Sequence, residues 1–179
     1  MENSMTQPMA KNPVVLLETT MGDIKLELFP DKAPVTVDNF LTYVREGFYD
    51  GLIFHRIISN AIVQAGGHGP GMNYKEPTHP SIKNEANNGL SNERGTVAMA
   101  RAYPIDSAAA QFFINVVDNL ELDYKGPEPQ DFGYAVFGRV IDGMEVVEKM
   151  TWIPTGPLGE HRNVPQENII ITKVSVLGD

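Results

Sequence analysis

Apolar and polar residues alternate most clearly near the start of the chain. Val14-Val15-Leu16-Leu17 is an apolar, partly β-branched run, and Met21-Gly22 interrupts the pattern. Through residues 23–29, Ile24, Leu26 and Leu28 then take every second position. Two strands joined by a tight glycine-containing turn are the natural reading. The period then lengthens. Val37, Phe40, Leu41 and Val44 fall at i, i+3, i+4 and i+7, one face of an amphipathic helix. Pro34 suits its first turn, where a missing N–H costs nothing, and Gly47 suits its end. Residues 53–58 and 61–64 read as strands. Residues 66–95 are rich in Gly, Pro and Asn and lose all periodicity, as functional or mobile segments often do. Short strands follow at 96–99, 112–117 and 134–140. A short helix covers 144–150, with Val147 and Met150 three apart; 153–168 is a second Gly/Pro loop, and 169–176 closes the chain as a strand.

That makes about eight strands and two helices, without the regular strand–helix alternation of a doubly wound sheet. The predicted fold is mainly β: a closed eight-stranded antiparallel barrel capped by two α-helices, closure being the way to remove exposed edges. Residues 1–12 are polar and patternless and are expected to form a flexible tail. Residues 13–179 form one domain, with no internal repeat and no low-complexity linker.

Composition narrows the chemistry. Fourteen Lys and Arg against 23 Asp and Glu give 14 − 23 = −9, so an acidic chain without a basic cluster is expected to bind no nucleic acid. An anionic membrane surface is excluded on the same ground. No apolar run approaches the roughly 18 residues of a membrane span. The N-terminus has no basic start and no apolar stretch, so no signal peptide is visible. The expected location is the cytoplasm, with a trimmed exported form left open. The absence of cysteine excludes disulfides, thiolate metal sites and cysteine nucleophiles.

Standard catalytic signatures are absent. No G-x-S-x-G occurs, and Gly67-His68-Gly69-Pro70-Gly71 fits neither a phosphate loop nor a dinucleotide fingerprint. His55, His68, His79 and His161 show no metal-ligand spacing, so they read as satisfied or solvated histidines, and no metal is expected. One constellation stands out. Arg56, Ile58, Ile62 and Gln64 share one parity, so a strand, a turn and a second strand would set Arg56 and Gln64 on one surface. Gln111 lies two residues before Phe113. A guanidinium, two amides and apolar walls suit a peptide and a reaction without covalent chemistry. Spacing alone equally allows Arg56 to be a surface ion-pair residue and Phe112 and Phe113 both to be core.

Longer motifs add a resemblance. Phe54-His55-Arg56-Ile57-Ile58 with Gln64-Ala65-Gly66-Gly67 resembles the cyclophilin signature. So do Ile82-Lys83-Asn84-Glu85-Ala86-Asn87-Asn88-Gly89-Leu90, Arg94-Gly95-Thr96-Val97-Ala98-Met99-Ala100-Arg101 and Ser107-Ala108-Ala109-Ala110-Gln111-Phe112-Phe113-Ile114-Asn115. These run in order over residues 14–176 and are similar to bacterial cyclophilin-type peptidyl-prolyl cis–trans isomerases. The resemblance implies rotation about X–Pro bonds during protein folding, without a cofactor. It implies Arg56 as the catalytic residue and Gln64 as the amide orienting the substrate backbone. By the same resemblance Ala100, Arg101 and Ala102 form an edge that pairs with the substrate main chain, and Gln111 is a further polar contact. Ile62, Phe113 and Leu122 are walls of a proline pocket. Tyr134 stands where many members carry histidine.

Two positions depart from the family pattern. Where it usually runs Pro-Gly-Phe-Met, this chain has Ser59-Asn60-Ala61-Ile62, so Ala61 replaces a large aromatic. Before Leu122 the family has Trp or Phe, and here Glu121. The lone Trp152 does not map to that role. Losing an aromatic wall removes apolar contact of the order of 3 kcal/mol in a fully buried site, and a rim carboxylate disfavours apolar ligands. Reduced activity or altered specificity is therefore expected, with weak binding of cyclosporin-type macrocycles. The alternative is a weakly active or inactive binding module or chaperone for proline-containing segments. The expected partners are proline-containing peptides and folding proteins, and the expected state is a monomer. Residues 66–95 and 153–168 read as ordinary loops of such a barrel, or as a docking surface.

Overall fold

The strand pattern is realised as one antiparallel sheet running from one end of the chain to the other. The structure, a computed structural model, describes residues 11–179; most of the expected tail, 1–12, lies outside the described residues. Its strands are β1 (Val14–Thr19), β2 (Gly22–Leu28), β3 (Phe54–Ile58), β4 (Ile62–Ala65), β5 (His68–Gly69), β6 (Asn73–Tyr74), β7 (Thr96–Met99), β8 (Phe112–Asn115), β9 (Val136–Asp142), β10 (Thr155–Leu158), β11 (His161–Pro165) and β12 (Ile171–Val176). The helices are α1 (Pro34–Arg45) and α2 (Met144–Met150). Eight strands make the main sheet in the order β12-β1-β2-β9-β7-β8-β4-β3. Two small hairpins, β5–β6 and β10–β11, lie inside the segments whose sequence shows no period. Among the described residues no helix is long and apolar enough to cross a membrane.

The expected closed barrel is corrected: the sheet is an open half-barrel. Its edge strands, β3 and β12, share no ladder. They meet at a single bridge between Ile53 and Ile170, flanked by hydrogen bonds such as Phe54 N–H to Ile169 O at 3.0 Å. The reason lies in β3. Its pairing with β4 slips between Phe54 and Arg56, so His55 is an extra residue. Such bulges bend a strand and increase its twist. β3 packs beside β11 instead of β12, with His161 next to the bulged His55, and the hairpin covers the edge.

The inner face of the sheet packs on α1. Pro34 opens the helix, and Val37, Phe40, Leu41 and Val44 are buried as the spacing predicts. Phe40 lies 5.4, 5.4 and 5.1 Å, centroid to centroid, from Tyr49, Phe112 and Phe137. At the other end α2 buries Val146, Val147 and Met150 and packs against β2. Gly22, in the first hairpin, has φ +130, and a Cβ there would lie 2.9 Å from Val146. The outer face carries a smaller cluster of Ile62, Ala98, Phe113 and Val136. Strand alternation thus splits the adjacent phenylalanines: Phe112 enters the main core and Phe113 the outer cluster.

Candidate functional site

The outer cluster is built from one row of the sheet. Arg56 of β3 pairs with Gln64 of β4, and Gln64 with Phe113 of β8. Phe113 pairs with Ala98 of β7, and Ala98 with Val136 of β9. The bulge at His55 makes the row possible. Phe54 points into the main core, and without an extra residue strict alternation would send Arg56 the same way.

Hydrogen bonds tie the polar end of the row together. Arg56 Nη1 donates to Gln64 Oε1 at 3.2 Å, and Gln64 Nε2 donates to Gln111 Oε1 at 3.0 Å. Gln111 is held by lack of space. A Cβ on Gly67 would lie 2.4 Å from Gln111 Cδ and Nε2, so glycine leaves the room that the glutamine fills.

A cavity of about 270 Å³ opens over this row. Arg56, Gln64, Ile62 and Phe113 line it from the sheet; Ala61, Ala100, Arg101, Glu121, Leu122 and Tyr134 line it from the turns. Phe113 and Tyr134 meet edge to face at 5.7 Å. Ala102 and Gln111 do not line this cavity. They line an adjoining one of about 300 Å³ that shares Gln64, Ala100 and Arg101 with it. Ile58 and Asn119 also line the first cavity, and Tyr74 and Ser107 the second. Ile58 follows from the parity of Arg56, whereas nothing in the local pattern singles out Asn119.

The turns are held by buried asparagines. Asn119 Nδ2 donates to Ala61 O at 3.0 Å and to Asn115 Oδ1 at 2.9 Å, and Asn115 Nδ2 donates to Asn92 Oδ1 at 3.1 Å. Asn92 Nδ2 in turn reaches Asp123 Oδ1 at 3.0 Å. This chain of side chains fixes the floor of the cavity and gives the patternless 66–95 segment a partner in the fold. Glu121 sits exposed on a short 3-10 turn, Leu120–Leu122, and its carboxylate makes no ion pair among the described residues.

Three of the four histidines do not sit apart. His55 and His68 lie 4.3 Å apart, ring to ring, and His161 of β11 is 5.0 Å from His68. His55 and His68 are buried, and the Nδ1 of each lacks a hydrogen-bond partner. The expectation of satisfied or solvated side chains is therefore corrected for these two. Burial, then the neighbouring His68, His161 and Arg56, pushes His55 down to about 3. Burial and His161 also push His68 down. Among the described residues no group of three His, Cys, Asp or Glu side chains is arranged to hold a metal ion.

Comparison with known proteins decides the family. The model of the family described as cyclophilin type peptidyl-prolyl cis-trans isomerase/CLD matches residues 14–176. The chain belongs to the cyclophilin-type peptidyl-prolyl isomerases. It is 54% identical over 163 residues to peptidyl-prolyl cis-trans isomerase B of Escherichia coli (strain K12), covering 91% of this chain and 99% of that protein. It is 50% identical to peptidyl-prolyl cis-trans isomerase A of Dickeya dadantii (strain 3937), covering 91% and 84%. Among solved structures, a cyclophilin-type isomerase from Cryptosporidium parvum, crystallised in the presence of the dipeptide Ala-Pro, superposes with a TM-score of 0.77 at 28% identity. That match covers 93% of this chain and 99% of the other. This cyclophilin is accordingly an enzyme that isomerises X–Pro bonds.

Proposed function

We propose that Arg56 is the catalytic residue and that the cavity beside it takes the prolyl ring against Ile62, Phe113, Leu122 and Tyr134. The carrying observation is the row itself: a hydrogen-bonded guanidinium and amide stand next to an apolar wall on one rigid sheet. Amide resonance puts a barrier of about 18–20 kcal/mol on rotation of a peptide bond. A catalyst must bind the twisted, less conjugated amide better than either planar form. As conjugation breaks, the prolyl nitrogen recovers its lone pair and accepts a hydrogen bond more readily. A guanidinium with spare N–H groups suits that task, because it stays charged and offers a rigid fork. Gln64 restricts Arg56, and Gln111 restricts Gln64, so little ordering is left for the moment of reaction.

The segment 100–102 supplies a second kind of contact. The N–H and C=O of Arg101 make no hydrogen bond among the described residues, which leaves them for an added substrate strand. Ala61 and Glu121 both line the cavity where the family has aromatic walls, which supports altered sequence preference, lower activity and weak binding of cyclosporin-type macrocycles. The test is cis-to-trans relaxation of a short X–Pro peptide with wild type, Arg56→Ala and the double variant Ala61→Phe/Glu121→Phe. Arg56→Ala is expected to abolish most of the rate enhancement, and the double variant to raise it. An enhancement that survives Arg56→Ala removes the catalytic assignment. Binding of the peptide without enhancement would favour the binding-module reading, for which Ala61 and Glu121 are the motive.

A further inference from the structure

The side chain of Arg101 points away from the role its backbone is given above. The chain leaves β7 at Met99, and Ala100 N–H still donates to Gln111 O at 3.0 Å. From there the path is set by side chains. The guanidinium donates from Nε to Ala102 O at 3.0 Å and from Nη1 to Gly133 O at 2.9 Å. Its Nη2 donates to Tyr103 O at 2.7 Å and to Pro129 O at 2.8 Å. Every acceptor is a main-chain carbonyl, and no carboxylate pairs with it among the described residues. An arginine facing a carboxylate balances charge, whereas this one holds backbone. The carbon of the guanidinium also lies 5.7 Å from the centroid of the Tyr134 ring.

The four carbonyls belong to two separate segments. Residues 102–103 continue the substrate edge, and residues 129–133 lead into Tyr134. Gly133 has φ +80 and packs so tightly that a Cβ would lie 2.6 Å from Leu122 O. Tyr134 N–H donates to that same Leu122 carbonyl at 3.0 Å. Moving Gly133 therefore moves Leu122 and Tyr134 together.

We infer that Arg101 is a positioning residue: its side chain locks the edge 100–102 to the cavity wall carried by Leu122 and Tyr134, so that one bound peptide meets both at a fixed spacing. The inference rests on the X–Pro site proposed above. Without the clamp the spacing is left to Asn84, whose Nδ2 donates to Gly133 O at 3.0 Å and to Ile105 O at 3.1 Å, and the peptide has to order more of both segments itself, which weakens binding. The rotation step is spared, because Arg56 is held by its own ladder on β3.

The experiment compares Arg101→Ala and Arg101→Lys on two X–Pro substrates. One is a tetrapeptide confined to the proline cavity; the other is a peptide long enough to run along residues 100–102. Lysine keeps the charge and the stem, but one ammonium lacks the planar fork that spans four carbonyls. For the longer peptide, both variants are expected to raise KM on the order of tenfold, with kcat held within about twofold, the scale of lost charge-assisted hydrogen bonds. The tetrapeptide is expected to respond less. A wild-type KM in Arg101→Lys would assign the effect to charge and overturn the clamp. A fall in kcat at unchanged KM would overturn it too. Should Arg101→Ala fail to fold, Arg101→Lys decides alone, with its amide NMR spectrum as the check on folding. Wild-type activity independent of Arg56 would instead overturn the underlying site. Arg56-dependent activity with unchanged KM in both variants overturns only the clamp.

Discussion

Arg56 and His55 are neighbours in sequence and opposites in environment. Arg56 is exposed, faces the cavity, and is the first member of a hydrogen-bonded row. His55 is 3% exposed, faces the β5–β6 and β10–β11 hairpins, and leaves its Nδ1 unpartnered. The charges that act on it, from His68, His161 and Arg56, are all positive when protonated, and the ring of Tyr74 lies beyond His68. The lesson is that one bulge serves two ends. It turns Arg56 outward into an exposed site where charge is useful, and it sends His55 into a buried one where charge is costly. Function should therefore follow the first residue and stability the second.

Arg56→Ala should break the functional half most severely. A fall in kcat/KM of at least about a hundredfold, the scale of one preorganised charged donor, is expected in the relaxation assay. The urea midpoint should move little, since exposed substitutions usually stay within about 0.5 kcal/mol. A large loss of stability would show that the two faces are not separable.

The stability half is tested by pH. In the folded chain His55 is pushed down from 6.5 to about 3, so between those values the unfolded chain binds more protons. Stability then rises with pH across that window and is lost as pH falls from 6.5 toward 3. The loss is expected to reach a few kcal/mol at most. Carboxylates titrate in the same range, so the measurement is a difference: urea unfolding of wild type and His55→Gln at several pH values. The variant should show a shallower slope. An unchanged slope would mean that carboxylates carry all of it.

A smaller effect sharpens the link between the row and its support. Gly67→Ala places a Cβ where Gln111 now sits, at 2.4 Å. The glutamine must move, and Gln64 loses its acceptor. Activity is expected to fall about tenfold, matching roughly 1.4 kcal/mol for a lost hydrogen bond and its strain. Rotation rates that match wild type would show that Gln111 contributes nothing through Gln64.

Much of this was legible in the sequence where period and side-chain type agreed. The first hairpin, α1 and the shared parity of Arg56 and Gln64 follow from spacing alone. The ordered motifs contain Arg56, Gln64, Ala100, Arg101 and Phe113, which line the cavity, whereas Ala61, Glu121, Leu122 and Tyr134 lie outside them. The bulge was not legible, because an extra residue in Phe54-His55-Arg56 leaves no mark in an otherwise apolar strand. Barrel closure is not legible either: counting strands does not say whether the two edges, β3 and β12, meet. The β10–β11 hairpin hid within a Gly/Pro-rich stretch, and it covers the edge that closure would have removed. His55, His68 and His161 come from three strands, so their meeting is a property of topology. The asparagine chain under Ala61 is of the same kind. The clamp of Arg101 could not be read either, since carbonyl acceptors have no sequence signature.

Glu121 offers the finest test, because it is a single charge at the rim of a cavity that also holds Arg56 and Arg101. Its carboxylate has no ion-pair partner among the described residues, so a lysine or arginine near the proline of a bound peptide would find it available. The site is solvated, and an exposed ion pair contributes about 0.2–1 kcal/mol. Peptides with a flanking lysine should therefore be preferred over their norleucine counterparts by no more than about fivefold in kcat/KM. The preference should shrink as salt is raised, because exposed charges are screened. Glu121→Gln should abolish it while leaving turnover of the norleucine peptide close to wild type. A preference that survives both the substitution and high salt would come from a contact of the ammonium other than Glu121, because norleucine carries the same stem, and the rim charge would then have no part in selection.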